Sequence, residues 1–186
     1  VIHDMEGYYL SSVSLLRSCS SSVSVFYAVN GKQDTSTDAS AGEITQMVRD
    51  ADSAWTSGCW NRYAEQTEHE GFASNPAWYT TAMYDASAAL TRSKADKYGI
   101  VKDRNHIIAH GQKLVPGWAA WADVNLSFDP YCNSHTDPGP YWDWTGYMAR
   151  INGGVSRWYF DTGTDGWTPV NGTTGLGWTA SGWPGI

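Results

Sequence analysis

The chain has 186 residues, 41% of them hydrophobic and 17% charged, which suits one well-buried domain, with room for part of another, and excludes a disordered chain. Its 12 basic and 19 acidic residues give a net charge of −7, the wrong sign for a general nucleic-acid binder, and no run of 18 apolar residues is available to span a membrane. The unusual counts are 11 Trp, 11 Tyr and 19 Gly, which suit a carbohydrate or cell-wall surface and equally suit a core.

Val1-Ile2-His3 opens the chain as an apolar, strand-like run without Met, so the sequence reads as a segment whose targeting signal lies outside it. A short helix is expected at residues 11–18. Residues 23–29 (VSVFYAV) and 43–48 (EITQMV) read as strands, joined by a loop rich in Gly, Ser, Asp and Thr at 30–42. The clearest helix spans 76–98. Asn75 is its expected N-cap, Pro76 its first residue and Gly99 its C′ residue, and Tyr79, Met83, Ala86 and Leu90 recur on one face. Residues 105–109 (NHIIA) read as a buried strand delivering His110 into a loop, and 145–151 as a final helix anchored by Trp142 and Trp144. Alternation of this kind predicts an α/β domain, a mixed central sheet flanked by helices, over residues 1–150.

Composition changes near 151. The last 36 residues hold 9 of the 19 Gly, 4 of the 11 Trp and only three charged residues, Arg157, Asp161 and Asp165. They read as short strands between turns, too few to form a sandwich alone, and so as a β-rich extension that starts a second module or packs on the first. Cys19, Cys59 and Cys132 allow at most one disulfide, and the sequence does not choose the pair.

Of the five histidines, His3, His110 and His135 fall at the ends or turns of predicted elements, where a site can be built. Asp137 precedes a Pro-Gly turn that would fix its carboxylate. Two imidazoles and one carboxylate leave one position open on a tetrahedral zinc ion, the pattern of catalytic rather than structural zinc. No compact motif such as HExxH joins them, and 107 residues separate His3 from His110.

The run KDRNHIIAH at 102–110, followed by HTDPGPYWDW at 135–144, closely resembles the zinc-dependent N-acetylmuramoyl-L-alanine amidases, a family that includes bacterial autolysins, phage endolysins and peptidoglycan recognition proteins. Other pieces follow in the same order: VIH at the start, the strand at 24–29, GEITQMV at 42–48, and TEHEG at 67–71. The resemblance covers residues 1–150 and implies that His3, His110 and Asp137 bind Zn2+, that Glu68 assists the attacking water, and that His135 stabilises the oxyanion where many members carry a lysine. Two positions depart from the family: Phe26 and Thr56 stand where relatives often have histidine, which bears on the polarity of the substrate cleft and leaves the ligand set intact.

The chemistry agrees with the residue types. Zinc makes bound water acidic near neutral pH and polarises the scissile carbonyl, and a nearby carboxylate can move the proton to the leaving amine. On a strand, Glu68 and Glu70 would share a face and His69 would take the other, so geometry leaves Glu70 open; the motif favours Glu68. His69 and His106 read as hydrogen-bonded structural residues. Cys132, His135 and Asp137 offer an alternative ligand set. Trp55, Trp60 and Trp78 suit a glycan cleft or the core.

The expected function is hydrolysis of the amide between the lactyl group of N-acetylmuramic acid and L-alanine in peptidoglycan, by a monomer that is extracellular or wall-associated, a phage lysis protein included. A non-catalytic peptidoglycan-binding module of the same fold is the alternative. A glycosidase using Glu68 and Glu70, about 6.5–7 Å apart at Cα on one strand face, is a third reading.

Overall fold

The computed structural model describes residues 1–32, 39–110 and 135–153. Three three-residue strands run parallel because each pairs with a segment far away in the chain: β1 (Ile2–Asp4) beside β4 (Thr67–His69), and β4 beside β2 (Tyr27–Val29). Among the described residues β3 (Ile44–Gln46) closes the sheet antiparallel to β2, giving the order β1-β4-β2-β3. Mixed pairing with helices agrees with the α/β expectation. No helix among the described residues is long and apolar enough to cross a membrane.

Three expected strands are shorter than their sequence patterns, and the one at 43–48 keeps only Ile44–Gln46. Val23 is 42% exposed, and regular pairing starts only at Tyr27, where the register with Thr67 begins. The strand expected at 105–109 is instead a turn followed by a single bridge. The Asp103 carboxylate accepts from the backbone N–H groups of Asn105 and His106 and draws them out of any ladder. What survives is the bridge of Ile2 with Ala109, in which Ile2 donates to the Ile108 carbonyl and His110 donates to that of Ile2. That bridge is enough to set His110 beside His3.

The first helix, α1, spans Tyr9–Leu16 rather than 11–18. The long helix, α2 (Thr81–Tyr98), starts five residues later than expected. Asn75 and Pro76 do act as cap and first residue, but of a single 3-10 turn, Pro76–Trp78. Tyr79 then leaves helical geometry, and its hydroxyl reaches the Asp4 carboxylate and the Pro138 carbonyl. Thr80 becomes the N-cap of α2, its hydroxyl accepting from the Met83 N–H, and Gly99 closes the helix in the left-handed conformation with φ 65°.

The final helix, α3, spans Trp144–Gly153. It packs against α2 through Tyr147 and Ile151, in one core with Val29, Met83, Leu90 and Trp142. Leu90 is 2% exposed, so Leu90→Ala should cost about 2–5 kcal/mol, read as a lower denaturation midpoint with an unchanged slope. The Gly/Trp-rich stretch expected to begin a second module falls outside the described residues from 154 onward, as does Cys132; Cys19 is an exposed free thiol.

Candidate metal centre

The parallel register sets His3 opposite Glu68 on neighbouring strands, so both side chains leave the sheet on the same side. The Ile2–Ala109 bridge brings His110 alongside, its ring centroid 4.3 Å from that of His3. Asp137 enters from the turn before α3. Its Oδ2 lies 3.0 Å from His3 Nδ1 and its Oδ1 3.2 Å from His110 Nδ1. One ligand atom from each of the three lies within 4.8 Å of the others, a spacing that one ion can bridge. Tyr79 ties the two halves together by donating toward Asp4, next to His3, and toward Pro138, next to Asp137.

Burial and neighbouring charge keep His3 and Asp137 in ligand form. Burial holds the His3 pKa down at about 4, against the pull of Asp137, so its imidazole is neutral. Burial alone would raise Asp137, but the His110 and His3 rings against its carboxylate hold it well below the usual carboxylate range. Neutral imidazoles and a carboxylate are the protonation states that metal binding requires. Glu68 is different. Burial and the Asp137 charge push its pKa up to about 8, opposed by the Thr56 hydroxyl, which donates to Oε1 at 3.3 Å. Its buried Oε2 has no hydrogen-bond partner among the described residues. Glu68 lines a cavity of about 360 Å3 with His3, His110, His135, Asp137 and Thr56. A larger cavity of about 450 Å3, lined by Tyr27, Leu90, Lys94 and Tyr98 among others, shares no residue with it.

His135 stacks on His110 with centroids 3.7 Å apart and 17° between the planes, and its side chain is 52% exposed at the mouth of the site. Burial and the neighbouring His110 lower its pKa. The structure separates Glu70 from this group. Its Oε1 accepts from the Tyr9 N–H and its Oε2 from the N–H groups of Gly31 and Lys32. The strand ends at His69, so the alternation that would have set Glu70 on the Glu68 face stops there. A fully buried carboxylate bonded to three backbone donors is a structural brace, and the paired-carboxylate reading loses its second member.

His69 faces away from Glu68, as expected, with Nδ1 donating to the His3 carbonyl at 2.8 Å and Nε2 meeting the Ser87 hydroxyl at 2.7 Å. His106 meets Asp103 Oδ1 at 2.7 Å, outside the cluster. Trp60 is core, Trp55 is 67% exposed, and Trp78 is half-buried beneath the Lys32 ammonium. Sequence reasoning missed Tyr79 as a bridge, because its spacing placed it on a helix face, and missed the hydroxyls of Thr56 and Ser57, which meet Glu68 and His3. The one available signal was the departure at Thr56.

Burial lowers the His69 pKa to about 3, and His3 to about 4, against an ordinary value of 6.5. Below pH 6.5 the unfolded chain therefore binds protons that the native chain refuses, and stability falls as pH drops toward 4 and 3. Each histidine contributes up to about 1.4 kcal/mol per pH unit. Thermal unfolding of the metal-free protein should show Tm falling below pH 6.5, and His69→Gln should flatten that slope.

A family profile described as N-acetylmuramoyl-L-alanine amidase matches residues 1–140. The chain belongs to this amidase family. The amidase is 31% identical over 163 residues to N-acetylmuramoyl-L-alanine amidase A of Achromobacter lyticus, covering 83% of this chain and 82% of that protein. It also shares the fold of AmpDH3 from Pseudomonas aeruginosa, solved in complex with anhydromuramic pentapeptide, with a TM-score of 0.61 and 18% identity. That superposition covers 88% of this chain, which spans 62% of the AmpDH3 chain.

Proposed function

We propose that this amidase is a zinc hydrolase that cleaves the amide between the lactyl group of N-acetylmuramic acid and the L-alanine of peptidoglycan stem peptides, outside the cell or at the wall. The observation that carries the reading is the convergence of His3 Nδ1 and His110 Nδ1 on one Asp137 carboxylate, at 3.0 and 3.2 Å. Two nitrogens and an oxygen are a borderline-soft donor set that suits zinc and leaves a position for water or substrate.

Bound zinc supplies Lewis acidity, which polarises a carbonyl and makes water acidic near neutral pH. The protein supplies the rest. Glu68 takes a proton from the attacking water and returns it to the leaving amine. Its unpartnered Oε2 is free to accept that proton. His135 sits at the rim and donates an N–H to the developing oxyanion; with its pKa lowered it does so as a neutral imidazole near pH 7, unlike the lysine that occupies this position in many relatives. Burial of His3 and His110 keeps solvent off the ligand rings.

Mass spectrometry of digested peptidoglycan tests the bond assignment. Free stem peptides beginning with L-alanine, with glycan strands intact, are the expected products. New reducing ends without new amino groups would point to a glycosidase, and binding without products to a recognition module.

A further inference from the structure

The segment after Ala54 sends two hydroxyls toward the site. Thr56 meets Glu68, and Ser57 Oγ lies 2.9 Å from Nε2 of His3, the ring nitrogen opposite the one that faces Asp137. Ser57 and His3 are 0% and 1% exposed, so bulk water does not compete for this bond. Ser57 also occupies the N-cap position of the 3-10 turn Gly58–Arg62, where a serine hydroxyl ordinarily accepts from the turn's own N–H groups. It makes no such cap bond. The Asn61 side-chain carbonyl takes over the local work, accepting from the backbone N–H groups of both Thr56 and Ser57 at 3.1 and 2.8 Å. Gly58 follows at φ 54°, which lets the chain turn sharply and keeps the hydroxyl aimed at His3.

Resting on the zinc reading above, we infer that Ser57 is a positioning residue for the metal centre: it accepts the Nε2–H of His3, which fixes the ring orientation and leaves the Nδ1 lone pair as the ligand. A neutral imidazole carries its proton on one nitrogen only, so a partner that holds the proton on Nε2 commits Nδ1 to the metal. Outer partners of this kind typically contribute about 10- to 100-fold to metal affinity. Thr56 serves the adjacent carboxylate from the same turn and does not touch a ligand ring, which makes it the natural control.

The test is zinc affinity of the full chain, measured by competition with a colorimetric chelator, together with long-range 1H–15N NMR of the zinc-loaded wild type. Ser57→Ala should weaken zinc binding about 10- to 100-fold with its circular dichroism unchanged. Thr56→Val should keep the wild-type zinc affinity. The NMR spectrum should show His3 metal-bound at Nδ1 and protonated at Nε2. Wild-type zinc affinity in Ser57→Ala, or coordination through Nε2, overturns the inference. If Ser57→Ala does not fold, Ser57→Gly, which also lacks the hydroxyl, takes its place with the same two outcomes. A wild type that binds no zinc fails at an earlier step, and removes the zinc reading along with the role given to Ser57.

Discussion

Glu68→Gln should lower kcat on peptidoglycan by about 100- to 10,000-fold, the range typical of losing a general acid–base group. The substitution is nearly isosteric, and its amide oxygen can still accept from Thr56 at the position Oε1 now holds. What it loses is the ability to take up and release a proton. Zinc content should not change, because Glu68 is outside the ligand triad. The informative result is therefore a pair of measurements, activity and bound metal, made on one preparation. Activity retained within a few-fold would remove Glu68 from the proton-transfer role. Activity and zinc lost together would make it a ligand instead.

Asp137→Ala should have the larger effect on the metal. The carboxylate contacts both histidine rings at Nδ1, and the two imidazoles that remain form an incomplete set. Loss of a direct ligand should exceed the about 10- to 100-fold change typical of an outer partner. After gel filtration the variant should retain almost no zinc and show no hydrolysis, whereas Glu68→Gln should keep its metal. If Asp137→Ala held zinc as the wild type does, the ion would have to sit on a different set of donors. The set that includes Cys132 would then be the first to examine.

The site was more legible in the sequence than the fold that carries it. Ordered motifs pointed to His3, Glu68, His110 and Asp137, and the structure brings all four around one cavity although they lie up to 134 positions apart. Motifs record which side chains meet, whatever the length of the elements between them. Strand limits were less legible because the strands are three residues long, and their ends depend on a partner far away in the chain. Asp103 shows the limit well: its carboxylate outcompetes a ladder for two N–H groups and turns an apolar run into a single bridge. Glu70 shows another. Only the three backbone donors of Tyr9, Gly31 and Lys32 reveal that it braces loops, and two of those donors lie about 40 positions away. Thr56 stood out only as a departure bearing on the polarity of the cleft, and the sequence did not show that its hydroxyl bonds Glu68.

The claim that a metal held by His3, His110 and Asp137 drives amide hydrolysis is tested most directly by one titration. Purified peptidoglycan is digested with the full chain while newly exposed L-alanine amino groups are counted, first as purified, then after chelation, then with zinc restored. Amino groups should appear, stop appearing when the metal is removed, and resume when about one zinc per chain is returned. Amino groups released at an unchanged rate by the chelated protein would contradict the claim.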